Sequence, residues 1–187
     1  MQVRAFFAVD LKDEEIKKKI TEIQSELSLP ETRIAFVVPE NLHFTMKFLG
    51  DVEEKMIPEI QTAAEKIKFN SFDLELNGLG CLPNFSYINA IYVGVTNGFA
   101  ELAAVASKIE GLSGQFNFKK EKRPFRAHLT IGRVKRIRDK NPLINKLKEN
   151  EKTEFGKIVV NSFKLKKSDR TPQGPIYTDL FEVKSVD

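Results

Sequence analysis

The chain has two histidines, and each opens the same four-residue pattern: His43-Phe44-Thr45-Met46 and His128-Leu129-Thr130-Ile131. Histidine is the side chain whose ordinary pKa lies closest to neutral pH, so it can give or take a proton where most groups cannot. Nine of the 187 residues are threonine. A Thr two places after a given His therefore arises by chance about once in twenty, and after both about once in four hundred. In a strand successive side chains alternate faces, so His43 and Thr45 point one way and Phe44 and Met46 the other. His128 and Thr130 stand in the same way against Leu129 and Ile131. Each motif then offers an imidazole and a hydroxyl about 7 Å apart, converging on one small tetrahedral anion.

A phosphate held between two such pairs suits in-line phosphoester cleavage. A neutral imidazole takes the proton of the attacking oxygen and an imidazolium protonates the leaving oxygen. The Thr hydroxyls stabilise charge on the non-bridging oxygens. This chemistry calls for no metal and no cofactor, and two histidines without a His-x-His, a ligand cysteine or a carboxylate pair are thin for zinc. Strand parity adds candidate phosphate clamps. Lys47, two after Thr45, shares its face, and Arg126, two before His128, shares the other. Arg133 has the opposite parity and is the weaker candidate. Tyr92, Tyr177 and Phe48 are candidates for stacking on a base, although an aromatic in a strand is more often core.

The net charge of +4 is unevenly spread. Between Lys119 and Lys140 there are ten basic and two acidic residues, a net +8, which leaves −4 for the rest. This run brackets the second motif. A basic run alone is as readily a solvated surface, but around a candidate catalytic histidine it favours a polyanionic substrate such as RNA. The single Cys81 excludes an intramolecular disulfide and a cysteine-based zinc site. The apolar run Ala5–Val9 is far short of the roughly 18 residues that span a bilayer and lacks a signal-peptide layout. A cytoplasmic monomer is expected.

These residues need elements to hold them. Periodicity predicts strands at Val3–Val9, Ile34–Val38, Leu42–Leu49, Phe72–Leu79, Ala90–Val95, Ala127–Val134, Phe155–Leu165 and Ile176–Val183, with Gln115–Phe118 short and extended. Helices are predicted at Lys12–Leu27, with Asp10 near its cap, and at Glu54–Ile67, Ala100–Ile109 and Asp139–Asn150. Lys166–Pro175 reads as a loop. No Gly-rich nucleotide loop is present. The histidines are 85 residues apart, and other words recur near that spacing. Pro39 and Pro124 precede the motifs, Leu76–Leu79 resembles Val160–Phe163, and Val3–Val9 resembles Asn89–Val95. Tyr92 and Tyr177 each lie 49 after a histidine. The expectation is an α+β fold of two pseudo-twofold related lobes of antiparallel sheet with helices and a cleft between them, together one domain over residues 1–187.

At these residues the chain resembles the two-histidine phosphoesterase superfamily, and within it the RNA 2′,3′-cyclic phosphodiesterase or 2′-5′ RNA ligase family. The carriers are Val3-Arg4-Ala5-Phe6-Phe7-Ala8-Val9, the run from Pro39 to Gly50, and His128-Leu129-Thr130-Ile131-Gly132-Arg133. The segments Leu76–Gly80 and Gly174–Tyr177 also fit. The resemblance implies a bilobal fold with one motif from each lobe. It implies hydrolysis of a terminal 2′,3′-cyclic phosphate to a 2′-phosphate, with 2′-5′ joining of RNA ends as a further reaction. By analogy His43 is the general acid and His128 the base, an order that pseudo-symmetry leaves reversible. Two alternatives stand beside this: action on 2′-5′ oligonucleotides or small cyclic nucleotides, and a non-catalytic RNA-binding module.

Overall fold

The computed structural model describes all 187 residues. The elements in chain order are β1 (Gln2–Asp10), α1 (Glu14–Glu26), β2 (Thr32–Phe36), β3 (His43–Glu53), α2 (Ile57–Ala64), β4 (Phe72–Asn84), β5 (Tyr87–Asn97), α3 (Phe99–Phe116), β6 (Leu129–Ile137), α4 (Asn141–Glu149), β7 (Glu154–Val160), β8 (Ser162–Thr171) and β9 (Gly174–Lys184). The strands form one antiparallel sheet in the order β7-β4-β5-β6-β3-β1-β8-β9, with β2 also on β6. Two four-stranded halves meet at its middle, where a single residue pair, Phe44 opposite Leu129, joins β3 to β6.

The halves correspond strand for strand about that seam. Ala8 of β1 stands opposite Thr45, as Tyr92 of β5 stands opposite Thr130. Lys164 of β8 flanks Ala8, as Gly80 of β4 flanks Tyr92. The Val3–Val9 and Asn89–Val95 words thus fall on equivalent strands. The two tyrosines do not. Tyr92 lies on inner strand β5 and Tyr177 on edge strand β9, so their common spacing from a histidine is not a structural equivalence.

One face of the sheet is covered by helices. Ile16, Ile20 and Ile23 of α1 and Leu102, Val105 and Ile109 of α3 share one apolar cluster with Phe7, Phe44, Leu129 and Ile131. Burial of each such side chain contributes about 1.5–3 kcal/mol. Truncating Phe44, which has no exposed surface, costs about 3–5 kcal/mol. The helices cross over: α1, from the first half of the sequence, packs against β6 and β7, while α3, from the second, packs against β3 and β5. The opposite face of the sheet is left open for the site. No helix is long and apolar enough to cross a membrane.

The structure corrects several boundaries. Asp13, not Asp10, caps α1, its carboxylate accepting from the Ile16 amide at 2.9 Å. Gln115 and Phe116 complete α3, which ends at left-handed Asn117, so no extended segment forms there. The predicted strand Phe155–Leu165 is two strands split at Asn161. Val160 pairs with Phe72 in one half, while Ser162 pairs with Lys184 in the other. Apolar residues continue on both sides of the break and conceal it. Most of the expected loop Lys166–Pro175 belongs to β8 and β9. Its Ser, Thr, Pro and Gly residues read as loop, while the partners that hold Lys166 in the strand, Asp10 and Asp179, are close to it only in the folded chain.

Candidate active site

The seam sets the geometry. Phe44 and Leu129 point into the core, so the same register carried one residue each way puts His43 across from Thr130 and Thr45 across from His128. The four side chains therefore share the open face where the two halves meet. Each imidazole is oriented alike. His43 Nδ1 lies 2.7 Å from the Asn41 carbonyl and His128 Nδ1 2.7 Å from the Arg126 carbonyl. A carbonyl only accepts, so Nδ1 carries the hydrogen and the neutral ring leaves the Nε2 lone pair free. Thr45 Oγ1 is 3.1 Å from His43 Nε2. The turn Pro39–Asn41, a single turn of 3₁₀ helix, aims the Asn41 carbonyl.

Both motifs then break strand parity at the same place. Lys47 is opposite Phe7 and Thr45 opposite Ala8, leaving Met46 as the extra residue of a bulge. Gly132 is opposite Ile91 and Thr130 opposite Tyr92, leaving Ile131 extra. A bulge sends the following side chain to the other face. The expectation that Lys47 shares the face of Thr45 is thereby corrected. Lys47 is 2% exposed, and its ammonium donates to Glu110 at 2.7 Å and to the Lys119 carbonyl at 3.0 Å, on the helix-covered side. Phe48, 49% exposed, takes the open face instead. The same inversion brings Arg133, the weaker candidate by parity, onto the face of Thr130. The counterpart of Lys47 is Gly132, where a Cβ would lie 2.8 Å from Ile34 and 3.1 Å from Phe36.

His43, Thr45, Phe48, Thr130, Arg133 and Tyr177 line one cavity of about 340 Å³. Its outer wall is the β8–β9 hairpin, tied back where the Asn41 side-chain amide donates to the Pro175 carbonyl at 3.0 Å. Tyr177 meets His43 edge-on at 5.3 Å between ring centres, and Phe6 lies 5.1 Å from the same imidazole. Tyr92 meets His128 at 5.7 Å. Arg126 precedes β6 with its side chain exposed; its carbonyl holds His128.

Burial holds both histidines below their ordinary pKa, against the raising effect of their carbonyl partners. Beyond this the environments diverge. Asp10, beside His43 in the β1–β3 register, favours its charged form, while Lys166 and Arg133 oppose it. His128 faces Arg126 and Arg133, both of which favour the neutral form. Burial pushes the Tyr177 hydroxyl up.

Two contributors escape sequence reasoning. Asp10 reads as a helix cap, yet it sits at the end of β1 holding Lys166 at 2.9 and 3.0 Å. Gln24 is a buried amide donating to the Ile131 carbonyl at 2.9 Å and the Val37 carbonyl at 2.8 Å, which fixes the second bulge. A signal for it does exist: a polar residue four after Ile20, on the apolar face of α1.

Known proteins resemble this chain over most of its length. The chain is similar to the RNA 2′,3′-cyclic phosphodiesterase of Methanothermobacter thermautotrophicus, 38% identical over 169 residues, covering 88% of this chain and 89% of the relative. It is similar to the protein of the same name from Aeropyrum pernix, 38% identical over 149 residues, with coverage of 80% and 85%. Among solved structures, Escherichia coli LigT complexed with 3′-AMP matches over 100% of both chains with a TM-score of 0.82 and 23% identity. A Thermus thermophilus protein, TT0787, matches over 97% of each with a TM-score of 0.80 and 24% identity. At these identities the likeness is one of fold. The family model for LigT-like phosphoesterases matches twice, over residues 9–92 and 93–177. Each match takes in one His-x-Thr motif, and the chain belongs to the LigT-like phosphoesterase family.

Proposed function

We propose that this protein is an RNA 2′,3′-cyclic phosphodiesterase that opens a terminal 2′,3′-cyclic phosphate to a 2′-phosphate. The observation that carries this reading is the quartet astride the seam. Two imidazoles with Nδ1 committed to carbonyls, and two threonine hydroxyls, share the open face at the seam, where His43, Thr45 and Thr130 line one cavity. The names of the relatives supply the substrate class.

In the proposed reaction a water attacks phosphorus opposite the 3′-oxygen. His128 Nε2 takes the water's proton, the bond from phosphorus to the 3′-oxygen breaks, and His43 gives its Nε2 proton to that oxygen. The 2′-ester survives. Asp10 beside His43, and Arg126 and Arg133 around His128, support this order of acid and base. Thr45, Thr130 and Arg133 stabilise the non-bridging oxygens as charge grows on them. No step requires a metal. An RNA 5′-hydroxyl in the place of water gives a 2′-5′ bond by the same proton transfers.

The test is incubation of the protein, in excess EDTA, with a short RNA ending in a 2′,3′-cyclic phosphate. The expected product is a 2′-phosphate, formed without metal and lost in both His43→Ala and His128→Ala. RNA bound without any product would overturn the catalytic reading in favour of a binding module. Cleavage confined to 2′-5′ oligonucleotides or small cyclic nucleotides would overturn the substrate.

A further inference from the structure

The cations around the site differ in one respect: whether they have a partner. In the half containing His43, the lysines of β8 are neutralised. Lys164 and Lys166 each bridge Asp10 and Asp179, and Lys167 pairs with Asp169. In the other half, none of the ten basic residues from Lys119 to Lys140 makes an ion pair, and neither does Arg33, which stands opposite Arg136 on β2. A chain with 26 acidic residues leaves this stretch uncompensated.

The uncompensated stretch is also shaped. Pairing between β5 and β6 ends at Ala90 opposite Arg133, and beyond it the strands part to leave a groove of about 520 Å³. Lys135, Arg136, Arg138 and Lys140 line it, together with Tyr87. Ile88 turns into the core while Tyr87 is 66% exposed, a tyrosine on a strand with little of its ring covered. Lys140 reaches across to the Ser86 carbonyl at 3.4 Å, closing the far end. Along β6 the groove begins at Val134, about 14 Å from Thr130, and reaches the strand's end at Ile137, about 24 Å away. Arg133 stands between the two.

We propose that this groove binds the single strand of RNA that trails from the reacting end, with Tyr87 stacked on a base and Lys135, Arg136, Arg138 and Lys140 on its phosphates. The inference rests on the function proposed above and adds a second contact site to it. Exposed aromatics set among cations recognise single-stranded nucleic acid because every base has a face to stack and every linkage has a charge. The unpaired state of the cations matters, since a phosphate then meets a charge with no ion pair to break; Asp139, the one carboxylate lining the groove, instead accepts from the Asn141 amide.

The experiment compares two substrates, a nucleoside 2′,3′-cyclic phosphate and an oligomer of about ten nucleotides ending in the same group. They are tested on the wild type, Arg136→Glu/Arg138→Glu and Tyr87→Ala. The double variant is expected to raise KM for the oligomer tenfold or more. It should also lower the salt slope of log KM by about 1.4, because two phosphates are no longer neutralised. Tyr87→Ala is expected to raise the same KM roughly fivefold or more. Neither change alters turnover of the nucleoside substrate. Equal losses on both substrates, or none on the oligomer, would overturn the proposal. A parallel titration follows the fluorescence anisotropy of a labelled oligomer with an ordinary 3′-hydroxyl. Weaker binding by both variants supports the groove even if no substrate turns over, which would sink the catalytic reading alone. Unchanged binding overturns the groove. If the glutamate variant melts early, Arg136→Gln/Arg138→Gln replaces it.

Discussion

The two His-x-Thr motifs share a backbone and differ in what surrounds it. Both histidines give Nδ1 to the carbonyl two residues before, and both strands bulge just after the threonine. From there they part. The residue after the bulge is Lys47 in one motif and Gly132 in the other, and the next on the open face is Phe48 or Arg133. The first motif is braced from α3 by the ion pair of Lys47 with Glu110. The second is braced from α1 by the Gln24 amide on the Ile131 carbonyl. Asp10 acts on His43 and Arg126 on His128, while Arg133 acts on both and Lys166 on His43. Duplication explains why two imidazoles meet at one point. In the proposed reaction, the divergence of their neighbours is what turns an equivalent pair into an acid and a base.

Removing either imidazole is the largest way to break that comparison. His43→Ala and His128→Ala are each expected to lower kcat by roughly 10²- to 10⁴-fold while the protein keeps its melting temperature to within a few degrees. Thr45→Val and Thr130→Val preserve shape and delete the hydroxyl, and a loss of roughly a hundredfold is expected from each. Initial rates on a cyclic-phosphate substrate check all four.

Lys47→Met against Arg133→Gln sharpens the contrast further. Lys47 braces the fold, so Lys47→Met is expected to leave kcat/KM unchanged and to cost about 1–3 kcal/mol of stability, read by denaturant unfolding. Arg133 faces the cavity, so Arg133→Gln is expected to lower kcat/KM roughly tenfold with little change in stability. The opposite pattern would restore Lys47 as a phosphate clamp.

The smallest effect lies in the pH profile. Both histidines titrate below the ordinary value of about 6.5, so kcat/KM should trace a bell whose maximum falls on the acid side of that value. Activity is lost on the alkaline side as the proposed acid, His43, deprotonates. Asp10→Asn removes a group that raises the His43 pKa, so the alkaline limb should move to lower pH while the acid limb, set by His128, stays in place. A shift of the acid limb alone would reverse the assignment.

Much of this is legible in the sequence. Two histidines each followed two places on by threonine name the quartet, because strand alternation is local and certain over three residues. Alternation fails one residue later. The bulges at Met46 and Ile131 are set by pairing with β1 and β5, and nothing local distinguishes Lys47 or Arg133 from regular strand positions. Asp10 passes for a helix cap for a similar reason. Its carboxylate serves Lys164 and Lys166, more than 150 positions along the chain, while a helix start lies only a few residues away. Asn161 hides the crossing between the two halves because apolar residues continue on both sides of it.

The most direct test of the central claim, that the first motif supplies the acid and the second the base, uses a 2′,3′-cyclic substrate with sulfur in place of the 3′-oxygen. A thiolate leaves without being protonated, since its conjugate thiol has a pKa of about 8.5. His43→Ala should recover most of the wild-type rate on the sulfur substrate, whereas His128→Ala should remain as impaired as on the oxygen substrate. Recovery of His128→Ala with His43→Ala still impaired would contradict the account.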